Sequence, residues 1–197
     1  MGKYKIIALI GKAGSGKDRI MNEVLAAAPD RFNQIGSCTT RPMREGEVEG
    51  VNYYYLTEKE FRTKLFNDEM LETTFFNNWF YGTMYSALSA DKPNIGVFDP
   101  AGIVSMLERD DIDLTVYMVM CDDKTRLLRQ LNREQDPDVN EIVRRFQTDD
   151  EDFKNLDFNT FILENNLEEH LPFAVAAVLY PFETTCGQGQ DKLMNQS

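Results

Sequence analysis

The sequence predicts an α/β fold with three layers around a parallel sheet, carrying an inserted small, mostly antiparallel subdomain and a helical hairpin. Short apolar runs alternate with helical patterns, and a glycine-rich loop follows the first of these runs. Between residues 35 and 91 the pattern changes to several short strand-like segments. A length of 197 residues with 42% hydrophobic content suffices for one domain with a core.

The core elements follow one another as strand and helix. Residues 5–10 (KIIALI) form an apolar run typical of a strand that is buried on both faces, and helical periodicity from Ile20 to Ala28 comes next. Further strands are predicted at residues 94–98, 114–120 and 160–163, each with a helix after it, at 101–108, 124–133 and 167–179. This alternation indicates a parallel sheet, whose core we assign to residues 1–34, 92–121 and 153–183 of one domain, 1–183.

The two insertions and the end of the chain differ from the core in their residue patterns. Residues 35–91 predict strands at 53–56, 70–76 and 80–85 with one helix at 58–66. Residues 122–152 predict a charged helical hairpin, whose second helix covers residues 139–146 after Asp136 and Pro137, because a capping acceptor followed by proline favours a helix start. Residues 184–197 are polar, bury little apolar surface and predict a flexible tail.

Charge and cysteine content exclude several classes of function. The chain carries 33 acidic and 21 basic residues, a formal net charge of −12, which argues against nucleic acid and anionic membrane as partners. Cys38, Cys121 and Cys186 are too few and too far apart for a disulfide framework or a metal site, and they fit a cytoplasmic location. No apolar run approaches a membrane span, and the first residues lead directly into a strand, so we expect neither a membrane anchor nor a leader.

Residues 11–17 (GKAGSGK) predict a loop that binds nucleotide phosphates. They match G-x-x-x-x-G-K and stand between a buried strand and a helix, as this motif requires. The glycines let the backbone fold around a phosphate so that its amides face the anion, and Lys17 adds a positive charge for the β- and γ-phosphates. The predicted contacts to the donor nucleotide are Gly11, Ala13, Gly14, Ser15, Gly16, Lys17 and Asp18.

Asp18 stands where this motif usually has a serine or threonine that binds Mg²⁺. Its carboxylate is a hard oxygen ligand and could hold the metal. It could equally repel the phosphates, or act only as an acid at a helix N-terminus, where the helix dipole favours negative charge. The sequence therefore predicts nucleotide binding and leaves the metal role of Asp18 open.

A second cationic segment, residues 37–54, is a candidate site for another phosphate. Arg41 and Arg44 can bind one phosphate bidentately, with Ser37 and Tyr53 as neutral donors. The alternative is a solvated loop in which the arginines pair with the nearby glutamates, Glu45, Glu47 and Glu49.

This segment resembles the guanylate kinase signature T-T-R-x-P-R-x-G-E-x-x-G-x-D-Y. Residues 39–53 (TTRPMREGEVEGVNY) follow it, with Pro42 one residue early and Asn52 in place of aspartate. Glu72 and residues 78–83 (NWFYGT) resemble the family's second block, and residues 99–102 (DPAG) resemble its third. With the phosphate loop, these blocks occur in the family's order.

The resemblance implies a kinase that uses ATP and Mg²⁺ to phosphorylate GMP or dGMP by direct in-line transfer. The family's contacts to the GMP phosphate would fall on Ser37, Arg41, Arg44, Tyr53 and Tyr81, and those to guanine on Glu72, Thr83 and Asp99. The hairpin resembles the family's lid and carries five arginines, of which we expect two or three to be functional: Arg126, Arg129, Arg133, Arg144 and Arg145. The residues predicted to act in catalysis are Lys17, Arg41, Arg133, Arg144 and Arg145.

Departures from the family pattern leave other functions open. Val97 replaces a usual acidic residue, and the asparagine expected near adenine falls on Glu164, with Asn165 one step away. A non-catalytic guanylate kinase-like interaction module is one alternative, and a kinase of another or modified deoxynucleoside monophosphate is a second. Retention of Lys17 and of both acceptor arginines favours the enzyme.

Overall fold

The computed structural model describes residues 3–44, 46–133 and 137–183. Within these ranges the strands are β1 (Tyr4–Ile10), β2 (Asn33–Gln34), β3 (Ser37–Thr39), β4 (Tyr54–Tyr55), β5 (Met70–Phe76), β6 (Trp79–Met84), β7 (Asn94–Val97), β8 (Ile112–Met120) and β9 (Phe161–Glu164). The helices are α1 (Lys17–Ala27), α2 (Glu58–Phe66), α3 (Pro100–Leu107), α4 (Asp123–Leu131), α5 (Val139–Asp152) and α6 (His170–Glu183). None of these helices has both the length and the apolar character needed to cross a bilayer.

The core is a five-stranded parallel sheet in the order β2-β7-β1-β8-β9. Its central strand β1 is buried on both faces because alternate side chains enter different hydrophobic clusters. Ile7 and Leu9 pack with residues of α1 and α6, whereas Ile6 and Ile10 pack with residues of α3. The helices therefore cover both faces of the sheet, which confirms the predicted three-layer α/β fold.

The inserted subdomain forms a second sheet in the order β4-β3-β6-β5. Strand β6 pairs antiparallel with both β3 and β5, and only β3 and β4 are parallel. Helix α2 starts with a capping box between Thr57 and Glu60, and its Phe61 packs in a small cluster with Cys38 and Met70. The mostly antiparallel insertion was thus predicted correctly, although its short strand β3, like the short strand β2 at the edge of the core sheet, was not.

The second helix of the hairpin starts at the predicted residue but has another cap and a later end. Helix α5 begins at Val139, where the Asp138 side chain accepts a hydrogen bond from the Glu141 amide at 3.1 Å. Asp136, the predicted cap, lies outside the described residues, as do Cys186 and the predicted tail 184–197. Helix α5 also continues to Asp152, beyond the predicted end at residue 146, because its polar last turns dock on the phosphate loop.

Candidate active site

A cleft of about 620 Å³ opens where β1 and β7 end and the inserted sheet begins. Four parts of the chain line it: the phosphate loop, the inserted sheet, residues 97–101 at the end of β7 and start of α3, and helix α5. Nine of the predicted site residues border this cleft: Gly11, Ala13, Lys17, Ser37, Tyr53, Glu72, Tyr81, Asp99 and Arg145. The remaining predicted residues do not line it: Gly14, Ser15, Gly16, Asp18, Arg41, Arg44, Thr83, Arg133 and Arg144.

The phosphate loop depends on glycines at two tight positions. Gly14 and Gly16 have positive φ angles of 81° and 95°, a region that other residues rarely adopt. A Cβ atom at Gly14 would lie 2.7 Å from the carbonyl oxygen of Arg126, so the loop packs closely on α4. The Lys17 ammonium donates to the Gly11 carbonyl at 2.7 Å, and burial lowers its pKa, opposed by the charges of Asp18 and Asp149.

Two lid arginines hold the backbone of this loop rather than lining the cleft. Arg126 is only 1% exposed, and its Nε donates to the Ala13 carbonyl at 3.0 Å. Arg129 contacts the Ser15 carbonyl at 3.3 Å, and Asn165 donates to the same oxygen at 2.7 Å. The sequence indicated charged helices but not these contacts, which join residues more than a hundred positions apart.

Glu72 and Asp99 converge on one glycine. A Cβ atom at Gly102 would lie 3.2 Å from Glu72 Oε2 and 3.3 Å from Asp99 Oδ1, and Asp99 caps α3 by accepting from the Gly102 amide at 2.7 Å. Burial raises the pKa of Glu72 to about 7; the charge of Asp99 adds to this shift and nearby Thr83 opposes it. The buried Thr83 hydroxyl has no partner in hydrogen-bond geometry among the described residues, although it lies opposite Glu72 in the β5–β6 ladder.

Arg41 is buried in an ion pair with Glu47. Its guanidinium donates to both Glu47 oxygens, at 3.0 and 2.8 Å, and contacts the ring of Tyr53, which lines the cleft. Glu47 also accepts from the Arg44 amide at 2.7 Å and from the Tyr55 hydroxyl at 2.8 Å. Hydrogen bonding from Arg41 lowers the pKa of Glu47 to about 2. One of the arginine–glutamate pairs expected for a solvated loop, Arg41 with Glu47, is therefore present, but this pair is largely buried.

The other predicted arginines meet between the insertion and the hairpin. Arg44, Arg133 and Arg145 line a second cavity of about 280 Å³, and Arg145 borders both cavities. Arg144 forms a bidentate pair with Glu141, at 2.7 and 2.8 Å, and lies 4.8 Å from the ring centre of Phe76. The roles assigned to these arginines from the sequence stay predictions.

Comparison with known proteins identifies the family. The guanylate kinase family model matches residues 3–177. The chain belongs to the guanylate kinase family. A guanylate kinase from Synechococcus sp. (strain JA-3-3Ab) is 31% identical over 193 residues, covering 94% of this chain and 86% of that protein. One from Carboxydothermus hydrogenoformans is 29% identical over 171 residues, 84% of this chain and 82% of that protein.

A solved structure agrees with this assignment at the level of fold. The crystal structure of guanylate kinase from Anaplasma phagocytophilum matches with a TM-score of 0.64 over 96% of this chain and 90% of that one, at 16% identity. Family membership makes the chain a nucleoside monophosphate kinase, a phosphotransferase whose phosphate loop binds ATP. It favours this interpretation over the non-catalytic interaction module.

Helix α5 presents two aspartates, Asp149 and Asp152, to the cleft, and neither was predicted from the sequence as a site residue. Asp149 Oδ2 accepts a hydrogen bond from the Ala13 amide at 2.7 Å, and Asp152 lines the same cleft. Burial raises the pKa of Asp152, and the charges of Asp99 and Asp149 add to the shift. Both residues follow Arg145 at helical spacing, so they share its face, a signal that was present in the sequence.

Among the described residues, no cluster of carboxylates forms a ready-made Mg²⁺ site beside the phosphate loop. Val97 lines the cleft where the family pattern has an acidic residue. Asp18 is exposed in the first turn of α1, and the described residues contain no group of three or more potential ligands. Mg²⁺ in phosphoryl transfer usually needs only one or two carboxylates in addition to the substrate phosphates, so Asp18 fits this requirement.

Proposed function

We propose that the protein transfers the γ-phosphoryl group of ATP to GMP or dGMP. The observation that carries this proposal is the convergence of Glu72 and Asp99 in the same cleft as Lys17. Guanine presents N1–H and a 2-amino group as adjacent donors, and two carboxylates supply matching acceptors. The Thr83 hydroxyl, opposite Glu72 in the β5–β6 ladder, is suited to O6. Adenine lacks this donor edge.

The donor end of the cleft relies on backbone groups and on Lys17. The loop amides and the N-terminus of α1 bind the phosphates of ATP, and Lys17 leaves the Gly11 carbonyl to contact them. Asp18 would hold Mg²⁺, which supplies positive charge at the β- and γ-phosphates when bound. Phosphoryl transfer needs mainly positioning and charge stabilisation, so no protein general base is required.

The acceptor phosphate binds on the insertion side. The Ser37, Tyr53 and Tyr81 side chains line the cleft and supply hydroxyl donors. Arg41, fixed by Glu47 against the Tyr53 ring, adds positive charge next to them. Arg44 approaches from the neighbouring cavity, which the lid arginines Arg133 and Arg145 also line. Arg144 lies over the ring of Phe76, which borders the cleft. These arginines stabilise charge on the transferring group and help to exclude water.

A coupled assay of ADP release, run with each NMP and dNMP, tests the proposal. We expect turnover with GMP and dGMP and little with other acceptors. Glu72→Gln should lower kcat/KM for GMP roughly 10- to 100-fold, because a charged acceptor is lost from a buried site. Glu58→Gln, at an exposed glutamate on α2, is the matched control and should leave kcat/KM unchanged. Preference for another acceptor, unaltered by Glu72→Gln, would contradict guanine recognition.

A further inference from the structure

The phosphate loop already binds a carboxylate of the protein, the side chain of Asp149. Asp149, near the end of α5, accepts a hydrogen bond from the Ala13 amide at 2.7 Å. Its carboxylate also contacts the buried Arg126 guanidinium at 2.5 Å, and its side chain is only 16% exposed. A backbone amide and a guanidinium at hydrogen-bond distance from one carboxylate oxygen form a charge-assisted anion site.

The neighbouring contacts fix α5 in this position. Lys12 in the same loop pairs with Asp150 at 2.5 Å, and Arg126 lies 4.3 Å from the ring centre of Phe146 on α5. The carboxylate therefore enters the loop as part of a helix held by side-chain contacts on both sides. The Lys17 ammonium, meanwhile, bonds to the loop's own carbonyl at Gly11.

We propose that Asp149 occupies a phosphate position in the loop, so that the donor triphosphate must displace it in order to bind. The proposal rests on ATP as the donor in the proposed function. A phosphate oxygen and the Asp149 carboxylate compete for one amide hydrogen and for the positive charge of Arg126, and like charges exclude each other at this distance. The contact thus keeps α5, which carries Arg144 and Arg145, docked on the loop until the donor arrives.

Equilibrium binding of ATP without divalent metal, to the full chain and its variants, tests this competition. Asp149→Asn preserves side-chain shape and removes the charge, so it should tighten ATP binding about tenfold, the scale of one charge-assisted hydrogen bond. Asp150→Asn removes the same charge from the next residue, which pairs with the Lys12 side chain instead of a loop amide. This control should change the affinity about threefold or less, as expected for an exposed ion pair.

The outcomes separate this proposal from the proposed function. Equal or weaker ATP binding by Asp149→Asn, with normal binding by the wild type, overturns the displacement of Asp149 and leaves the kinase assignment intact. Weaker binding confined to MgATP also overturns it, because Asp149 would then act as a metal ligand. If neither the wild type nor Asp149→Asn binds ATP, both the proposed donor site and the competition of Asp149 for it are wrong.

The wild-type protein provides a measurement that does not depend on folding of the variant. The side-chain carboxyl carbon of Asp149 and the amide of Ala13 should both shift in nuclear magnetic resonance spectra when ATP is added, because their mutual hydrogen bond is replaced. The carboxyl resonance of Asp113, exposed on β8, is the internal control and should stay in place. A saturated complex in which the Asp149 resonance has not moved would overturn the proposal.

Discussion

Glu72 and Glu47 demonstrate how neighbouring groups set the charge of a side chain in this site. Glu47 bonds to the Arg41 guanidinium, which lowers its pKa to about 2. Glu72 has no cation at hydrogen-bond distance among the described residues and sits by Asp99, and burial raises its pKa to about 7. One glutamate is therefore fully charged near neutral pH, whereas the other exchanges a proton there.

The raised pKa of Glu72 predicts a stability cost in the free protein that depends on pH. The folded chain holds this proton up to about pH 7, and the unfolded chain releases it near 4.5. Stability due to Glu72 is therefore fully present below pH 4.5 and is lost as the pH rises through 7. Glu72→Gln, which mimics the protonated form, should raise the free energy of unfolding by about 3 kcal/mol at pH 8 and leave it unchanged at pH 4.

Urea unfolding of the free wild type and Glu72→Gln at both pH values measures this difference. The same variant loses guanine binding in the proposed function, so gain of stability and loss of activity should occur together. A variant that is less stable than the wild type at pH 8 would contradict the burial of an ionisable Glu72.

At the level of elements, α4 serves as a support for the phosphate loop. Its Arg126 pairs with Asp123 at 2.6 Å and with Asp149, and it also bonds the Ala13 carbonyl. A buried guanidinium with all these partners is costly to disrupt, because each partner is left without its counter-charge or donor. The loop is therefore held in place by a helix that lies more than a hundred residues later in the sequence.

Replacing Arg126 should accordingly destabilise the fold far more than replacing an exposed arginine. We expect Arg126→Met to lower the free energy of unfolding by about 3 to 5 kcal/mol, since it breaks a buried ion pair. Arg62→Met removes an exposed pair with Glu58 on α2 and should cost about 0.5 kcal/mol. Denaturant titrations of both variants measure the difference. Similar losses would mean that the Arg126 contacts contribute little.

Local patterns predicted most elements but not how the hairpin docks. The strand, glycine loop and first helix were readable because apolar periodicity and turn residues act over a few positions. The last turns of α5 (QTDDED) carry no apolar signal, and they are helical here because Asp149 reaches Ala13, a contact across 136 positions. The candidate site residues were predicted from motif order, whereas the partner of Arg41 among three glutamates required the folded loop.

Across the whole molecule, the positive charges of the site are embedded in a strongly acidic chain. The net charge of −12 repels nucleotide anions at long range, so affinity has to come from short-range contacts. Lys17 and Arg145 line the cleft, and Arg41 and Arg126 are buried around it. This arrangement suits two anionic ligands that bind in separate pockets on either side of one cleft.

Thermal unfolding should resolve those two pockets as independent contributions to the stability of one domain. A ligand at about one hundred times its Kd stabilises the folded state by about 2.7 kcal/mol, or a rise in Tm of roughly 5 to 10 °C for a domain of this size. Both ATP and GMP should raise the Tm of the wild type. Glu72→Gln should retain the ATP shift and lose most of the GMP shift, because only the base pocket has changed. Lys17→Met should do the reverse, and loss of both shifts in either variant, with the free protein still folded, would contradict separate pockets.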